Sequence, residues 1–156
     1  MPTDAIYNYR KVDDRLATGG QPRASQLRDA AQEGFTAVIN LAPYDKRYSI
    51  DDEAGLVQSL GMRYHHIPVD WENPTAADFA AFERAMNEHA RDKTLVHCAA
   101  NFRVTAFYSL YALENLGWTE AQADELRASI WQGTDLPVWE NFVATQKARI
   151  AAHKRG

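Results

Sequence analysis

The sequence predicts an α/β domain, a mostly parallel sheet flanked by helices with a helical C-terminal half. Three observations lead there. The runs Phe35 to Leu41 and Thr94 to His97 are short and largely apolar, as strands of a parallel sheet are, and Met62 to Val69 reads as the strand between them. Segments of helical period alternate with them, opened by capping residues or closed by glycines. Beyond Gly117 only helical patterns remain.

Taken in order, Ile6 to Arg10 and Arg15 to Thr18 read as two short strands joined by a turn at Val12-Asp13-Asp14. Thr18-Gly19-Gly20-Gln21-Pro22 breaks the chain, because two glycines and a proline oppose helix and strand alike. A helix follows from Arg23 to Glu33, with Leu27, Ala30 and Ala31 on one face and Gly34 at its C-terminal stop. After the Phe35–Leu41 strand, Ala42 to Tyr48 is a polar loop. Ser49, with Asp52 three residues on, opens a second helix that Gly61 ends. The Met62–Val69 strand leads into the acidic loop Asp70-Trp71-Glu72-Asn73-Pro74. Thr75 and Asp78 then cap a helix striped by Phe79, Phe82 and Met86, a core face. The Thr94–His97 strand runs into a loop and a helix from Phe102 to Leu116, stopped by Gly117. Thr119 with Gln122 caps the next helix, and Pro137 suits the first turn of the last one.

The 156 residues read as one domain, 1–156, with no repeat, linker or low-complexity tract. Hydrophobic residues at 46% and charged residues at 24% belong to a globular chain with a sizeable core. A net charge of −4 argues against a nucleic-acid surface. No apolar stretch approaches the ~18 residues of a membrane span. The start Met1-Pro2-Thr3-Asp4 lacks a signal-peptide pattern, so a cytoplasmic setting is expected. The basic residues Lys147, Arg149, Lys154 and Arg155 complement a helix C-terminus or form a solvated tail. One cysteine excludes an internal disulfide and a multi-cysteine zinc site, and no metal or cofactor is expected.

That cysteine carries the functional reading. Cys98 directly follows the Thr94–His97 strand, and Arg103 stands five positions later at the start of a helix. Such a strand-to-helix turn aims backbone N–H groups at one spot beside the positive end of the helix dipole, where anions bind. The same field favours the nucleophilic thiolate, and an arginine fork matches two phosphate oxygens. Phosphate binding is therefore assigned to Ala99, Ala100, Asn101, Phe102 and Arg103. Asn101 is the loop residue best able to take a left-handed conformation, and the two alanines allow close approach. The bland alternative is a buried cysteine and an arginine placed by coincidence. Asp70, just beyond a strand end, is placed to protonate a leaving group, with Glu72 its competitor.

Three segments, Val38-Ile39-Asn40-Leu41, Ile67 to Pro74 and Val96-His97-Cys98 through Arg103, together resemble the protein tyrosine phosphatase superfamily, of the dual-specificity-like kind. The resemblance covers roughly residues 10–117 in the same order. It implies that Cys98 forms a phosphocysteine, that Arg103 is the signature arginine, and that Asp70, four residues before Pro74, is the mobile general acid. The activity implied is a metal-independent phosphomonoesterase acting on a phosphoprotein or small phosphomonoester. The chain departs from the family pattern in having four residues between cysteine and arginine instead of five. Val104 follows the arginine where a hydroxyl residue is usual, although Thr105 holds the same distance from Cys98 as that hydroxyl does. One residue rotates a helical side chain by about 100°, so the shortened turn bears on how Arg103 meets its anion.

Two rivals stand beside this reading. A rhodanese-like sulfurtransferase also uses a cysteine in an anion-cradling loop, often with the shorter spacing. A phosphatase-like module that binds phosphate without hydrolysis is the other. His97 is expected to orient the loop through a hydrogen bond. His65 and His66 have no partner identifiable from sequence, and the tryptophans read as core, with Trp71 near the site.

Overall fold

The computed structural model describes residues 2–132 and 136–155 and is built on a five-stranded sheet. In chain order the elements are β1 (Arg10–Asp13), β2 (Leu16–Gly19), α1 (Ala24–Gln32), β3 (Ala37–Asn40), α2 (Glu53–Ser59), β4 (Arg63–His66), α3 (Ala76–Glu88), β5 (Thr94–His97), α4 (Phe102–Asn115), α5 (Glu120–Ile130) and α6 (Pro137–Arg155). The sheet order is β1-β2-β5-β3-β4, with β1 antiparallel to β2 and every other pair parallel. The expected α/β domain with a helical C-terminal half is the fold found.

Two sequence expectations need correction. Ile6 to Arg10 is not a strand: Pro2–Ala5 forms a short 3-10 turn, and β1 begins only at Arg10 and runs through the expected turn to Asp13. Ile6 is instead buried against the sheet, and Asn8 takes a left-handed φ of 53°. The second helix is capped by Asp52 and not by Ser49. Asp52 is left-handed and its carboxylate accepts the Gly55 N–H, while the Ser49 hydroxyl accepts from Asp45 N–H. The capping boxes at Thr75/Asp78 and Thr119/Gln122 form as expected. Met1 lies outside the described residues, as does the Arg155 side chain; of the rest of the basic cluster, Arg149 pairs with Glu114, Lys147 with Asp124, and Lys154 donates to the Leu113 carbonyl.

β5 is the central strand and is wholly buried. His97 at its end is in register with Gly19 of β2 on one side and Asn40 of β3 on the other. The carboxyl ends of three parallel strands therefore coincide, which is where ligand sites of such sheets lie. One face of the sheet packs Leu27, Ala30 and Phe35 from the α1 side with Val57 of α2. The other packs Phe79 and Phe82 of α3, Val104, Phe107 and Leu110 of α4, and Trp139 and Phe142 of α6.

Helix α6 also reaches the loop after β4. Trp139, fully buried, donates its indole N–H to the Trp71 carbonyl at 2.8 Å. Replacing Trp139 by Phe keeps a ring in the slot but leaves that carbonyl without its donor. The expected cost is about 1–3 kcal/mol, read as a lower urea midpoint at unchanged slope.

Candidate active site

The turn from β5 into α4 takes four residues, and its shape is set by groups far away in sequence. Asn101, fully buried, has φ 69° and ψ 7°, the left-handed conformation expected of it. Its amide does not cap α4. It donates to the Asn8 carbonyl at 2.8 Å and to the Thr18 hydroxyl at 2.9 Å. Asn8 returns the contact, its own amide donating to the Ala100 carbonyl at 2.9 Å. Gln21 N–H donates to the Ala99 carbonyl at 2.9 Å, and Cys98 N–H to the Gly19 carbonyl at 3.2 Å. Gly20 is required here, because a Cβ at that position would stand 2.6 Å from the Ala99 oxygen. The loop carbonyls are thus drawn outward to the N-terminal segment. The first N–H groups of α4 have no intrahelical acceptor and no side-chain cap.

Arg103 occupies the second position of that helix and is only 8% exposed. Its Nε is buried without a hydrogen-bond partner, and among the described residues no carboxylate pairs with it. Its guanidinium instead lies 5.3 Å from the Trp71 ring centroid. A cation buried without an anion is costly, so this arrangement is one expected where the anion is a ligand. Trp71, Ala99, Ala100, Phe102 and Arg103 line a cavity of about 280 Å³. Trp71 is stacked on Trp131, with ring centroids 5.7 Å apart, and the Trp131 indole donates to the Phe102 carbonyl at 3.0 Å. Trp131 and Trp139 are core residues as expected, and both pack their rings against Trp71.

Of the predicted residues, Ala99, Ala100, Phe102 and Arg103 line this cavity, whereas Asn101 is fully buried with its amide turned to Asn8 and Thr18. Cys98 does not line the cavity: it has no exposed surface and is packed into the core that also holds Val96 and Val104. Asp70 is exposed, its carboxylate accepting the Glu72 N–H at 2.9 Å, and it does not line the cavity. Thr105 spends its hydroxyl on the Asn101 carbonyl at 2.8 Å.

His97 does orient the loop. Its ring nitrogens meet the Cys98 carbonyl at 3.1 Å and the Glu53 carboxylate at 2.6 Å. Glu53, which sequence reasoning missed, is buried at the start of α2 and also accepts from the Gln21 amide at 2.8 Å. Burial alone would push its carboxyl up, but the His97 charge and the hydrogen bonds of His97, Gln21 and Tyr64 together hold it below the usual range. No local pattern marks Glu53, since its partners are 32 and 44 residues away. His66, without an identifiable partner in sequence, meets the Ala42 carbonyl at 2.6 Å.

A family model, the phosphatase-like domain of beta-lactamase hydrolase-like protein, matches residues 8–114. A beta-lactamase hydrolase-like protein of Xylella fastidiosa strain Temecula1 is 31% identical over 102 residues, 64% of this chain and 23% of the relative. The chain thus matches about a quarter of the length of that relative. The crystal structure of a DUF442 protein from Shewanella putrefaciens CN-32 superposes with a TM-score of 0.85 at 33% identity, covering 96% of this chain and 97% of the other. Kinase associated phosphatase, crystallised with its catalytic-site cysteine replaced by serine, shares the fold at a TM-score of 0.74 and 16% identity over 88% of each chain. Other neighbours of this fold have been crystallised with phosphotyrosine and with PI(5)P, at 16% and 18% identity and TM-scores of 0.72 and 0.75.

The buried pair makes a measurable prediction. Glu53→Ala leaves His97 unpaired in the interior and is expected to cost about 3 kcal/mol. A carboxyl whose folded value lies below its unfolded one stabilises the protein above the unfolded value, and loses that contribution as pH falls through the folded one. Wild-type stability should therefore decline below pH 4.5, the ordinary carboxyl value, more steeply than that of Glu53→Gln, as read by chemical denaturation across that range.

Proposed function

The chain belongs to the family of phosphatase-like domains of beta-lactamase hydrolase-like proteins, and from that premise we propose that it is a metal-independent phosphomonoesterase working through a phosphocysteine. The observation that carries this reading is Arg103, its Nε buried without a hydrogen-bond partner and no carboxylate pairing with it among the described residues, beside the uncapped N-terminus of α4. Two sources of positive potential converge on a cavity of suitable size for a phosphoryl group and part of its alcohol. In the proposed cycle the Cys98 sulfur attacks phosphorus and the ester oxygen leaves with a proton from Asp70. Arg103 and the N–H groups of residues 99–103 hold the non-bridging oxygens throughout. Water then attacks phosphorus, giving its proton to the Asp70 carboxylate, and the S–P bond breaks to release inorganic phosphate and the Cys98 thiolate. Residues 1–156 are read as one phosphatase-like domain, working in a reducing compartment such as the cytoplasm, where the nucleophile stays a thiol.

The substrate is a phosphorylated protein side chain or small phosphomonoester. The aromatic lining of Trp71 and Phe102, with Trp131 stacked on Trp71, favours an aryl phosphate, whose ring would extend that stack. The family match favours the phosphatase reading over the sulfurtransferase one. The non-catalytic module remains a second reading because one observation favours it: Cys98 has no exposed surface, and attack requires the loop to bare the sulfur.

Hydrolysis of an aryl phosphate by the purified chain separates these readings. Turnover that survives chelator, disappears in Cys98→Ser and falls by at least 10²-fold in Asp70→Asn with phosphate binding retained is the expected result. Arg103→Lys should weaken phosphate binding as well, since an ammonium lacks the planar fork. Phosphate binding without turnover, unchanged by Asp70→Asn, would leave only the binding module.

A further inference from the structure

We infer that His65, Glu88 and His89 form a binding site for one divalent cation of the zinc type, tying edge strand β4 to the C-terminal end of α3. His89 is the residue that ends α3, and its side chain is fully buried. Its Nδ1 stands 2.6 Å from the Asp92 carboxylate. A carboxylate only accepts, so Nδ1 carries the proton and the lone pair of Nε2 is left bare. That Nε2 faces the Nε2 of His65 at 2.6 Å, the two rings nearly edge-on with centroids 4.7 Å apart. The Glu88 carboxylate approaches the same His65 nitrogen at 3.6 Å, and all three ligand atoms lie within 4.8 Å of one another.

A hydrogen bond between the two imidazoles would satisfy the nitrogens but does not call for a carboxylate on the same spot. A cation does. Two neutral imidazoles and one carboxylate are a common donor set for zinc, and the Asp92 carboxylate behind His89 is the arrangement that fixes the tautomer of a metal-binding histidine. Arg63, also on β4, opposes a cation here, and Glu88 and Asp92 outweigh it by one charge. Bonds of about 2.0–2.2 Å place neighbouring ligand atoms roughly 3.3 Å apart. The imidazoles therefore separate by several tenths of an ångström on loading, a movement open to His65, which is 30% exposed. Nitrogen donors favour zinc, copper or nickel over magnesium or calcium. Strand β3 separates β4 from β5, and no donor belongs to the Arg103 cavity, so the inference stands apart from the proposed hydrolysis.

The test is titration of the untagged, chelator-stripped chain with Zn²⁺ against a chromogenic chelator, alongside thermal melting. One ion per chain is expected, with Tm rising by about 5 °C at a hundredfold excess over Kd. His65→Gln and Glu88→Gln, both at the surface, should keep the fold and weaken binding at least tenfold, and Asp92→Asn by 10–100-fold. Failure to bind Zn²⁺, or binding undiminished in His65→Gln, would overturn the site; hydrolysis is not a readout for it.

Discussion

The interaction on which the site depends is one that the protein leaves unmade. Arg103 is folded into the second position of α4 with its Nε buried, and among the described residues no carboxylate pairs with it and its charge is met by the face of Trp71. An aromatic face offsets part of the desolvation of a cation, on the order of 2 kcal/mol, and falls well short of an ion pair. The remaining cost is borne by the rest of the fold. The core on that face is rich in interlocked rings, from Phe79 and Phe82 through Phe107 to Trp139 and Phe142.

Holding the cation in place requires a turn of only four residues between strand and helix, and the clamp around it explains how so short a turn closes. The Asn101 amide donates to the Asn8 carbonyl and the Asn8 amide to the Ala100 carbonyl, both asparagines being in left-handed conformations. Gly20 lets the backbone of the β2 end come into contact with Ala99. From beneath, His97 and Glu53 fix the last residue of β5. Three separate stretches of chain thus hold the loop carbonyls away from the cavity. The loop has no need of the glycines that such turns ordinarily use.

What was legible in the sequence was local. Thr75 with Asp78 and Thr119 with Gln122 name their helices because cap and partner are three residues apart. Thr94–His97 is a strand end to end, because an apolar run buried on both faces needs no partner to be recognised. Asn101 was found by elimination, as the loop residue that best tolerates positive φ. What was not legible depends on distant partners. Ile6 to Arg10 has the composition of a strand, yet Ile6 packs beneath the sheet and Asn8 turns to reach Ala100, 92 positions away. His65 meets His89 across 24 residues, and Glu53 meets His97 across 44. At Ser49 a valid capping pattern lost to a better cap three residues later, Asp52, whose left-handed backbone nothing in the sequence announces.

The central claim is that the Cys98 sulfur forms a bond to phosphorus. Rapid quenching of the protein with an aryl phosphate, followed by peptide mass spectrometry, tests it most directly. A phosphoryl group carried by Cys98 within the first turnover, and retained longer when the second step is slowed, is the result this account predicts. Product formed with no adduct on Cys98 at any time would contradict it.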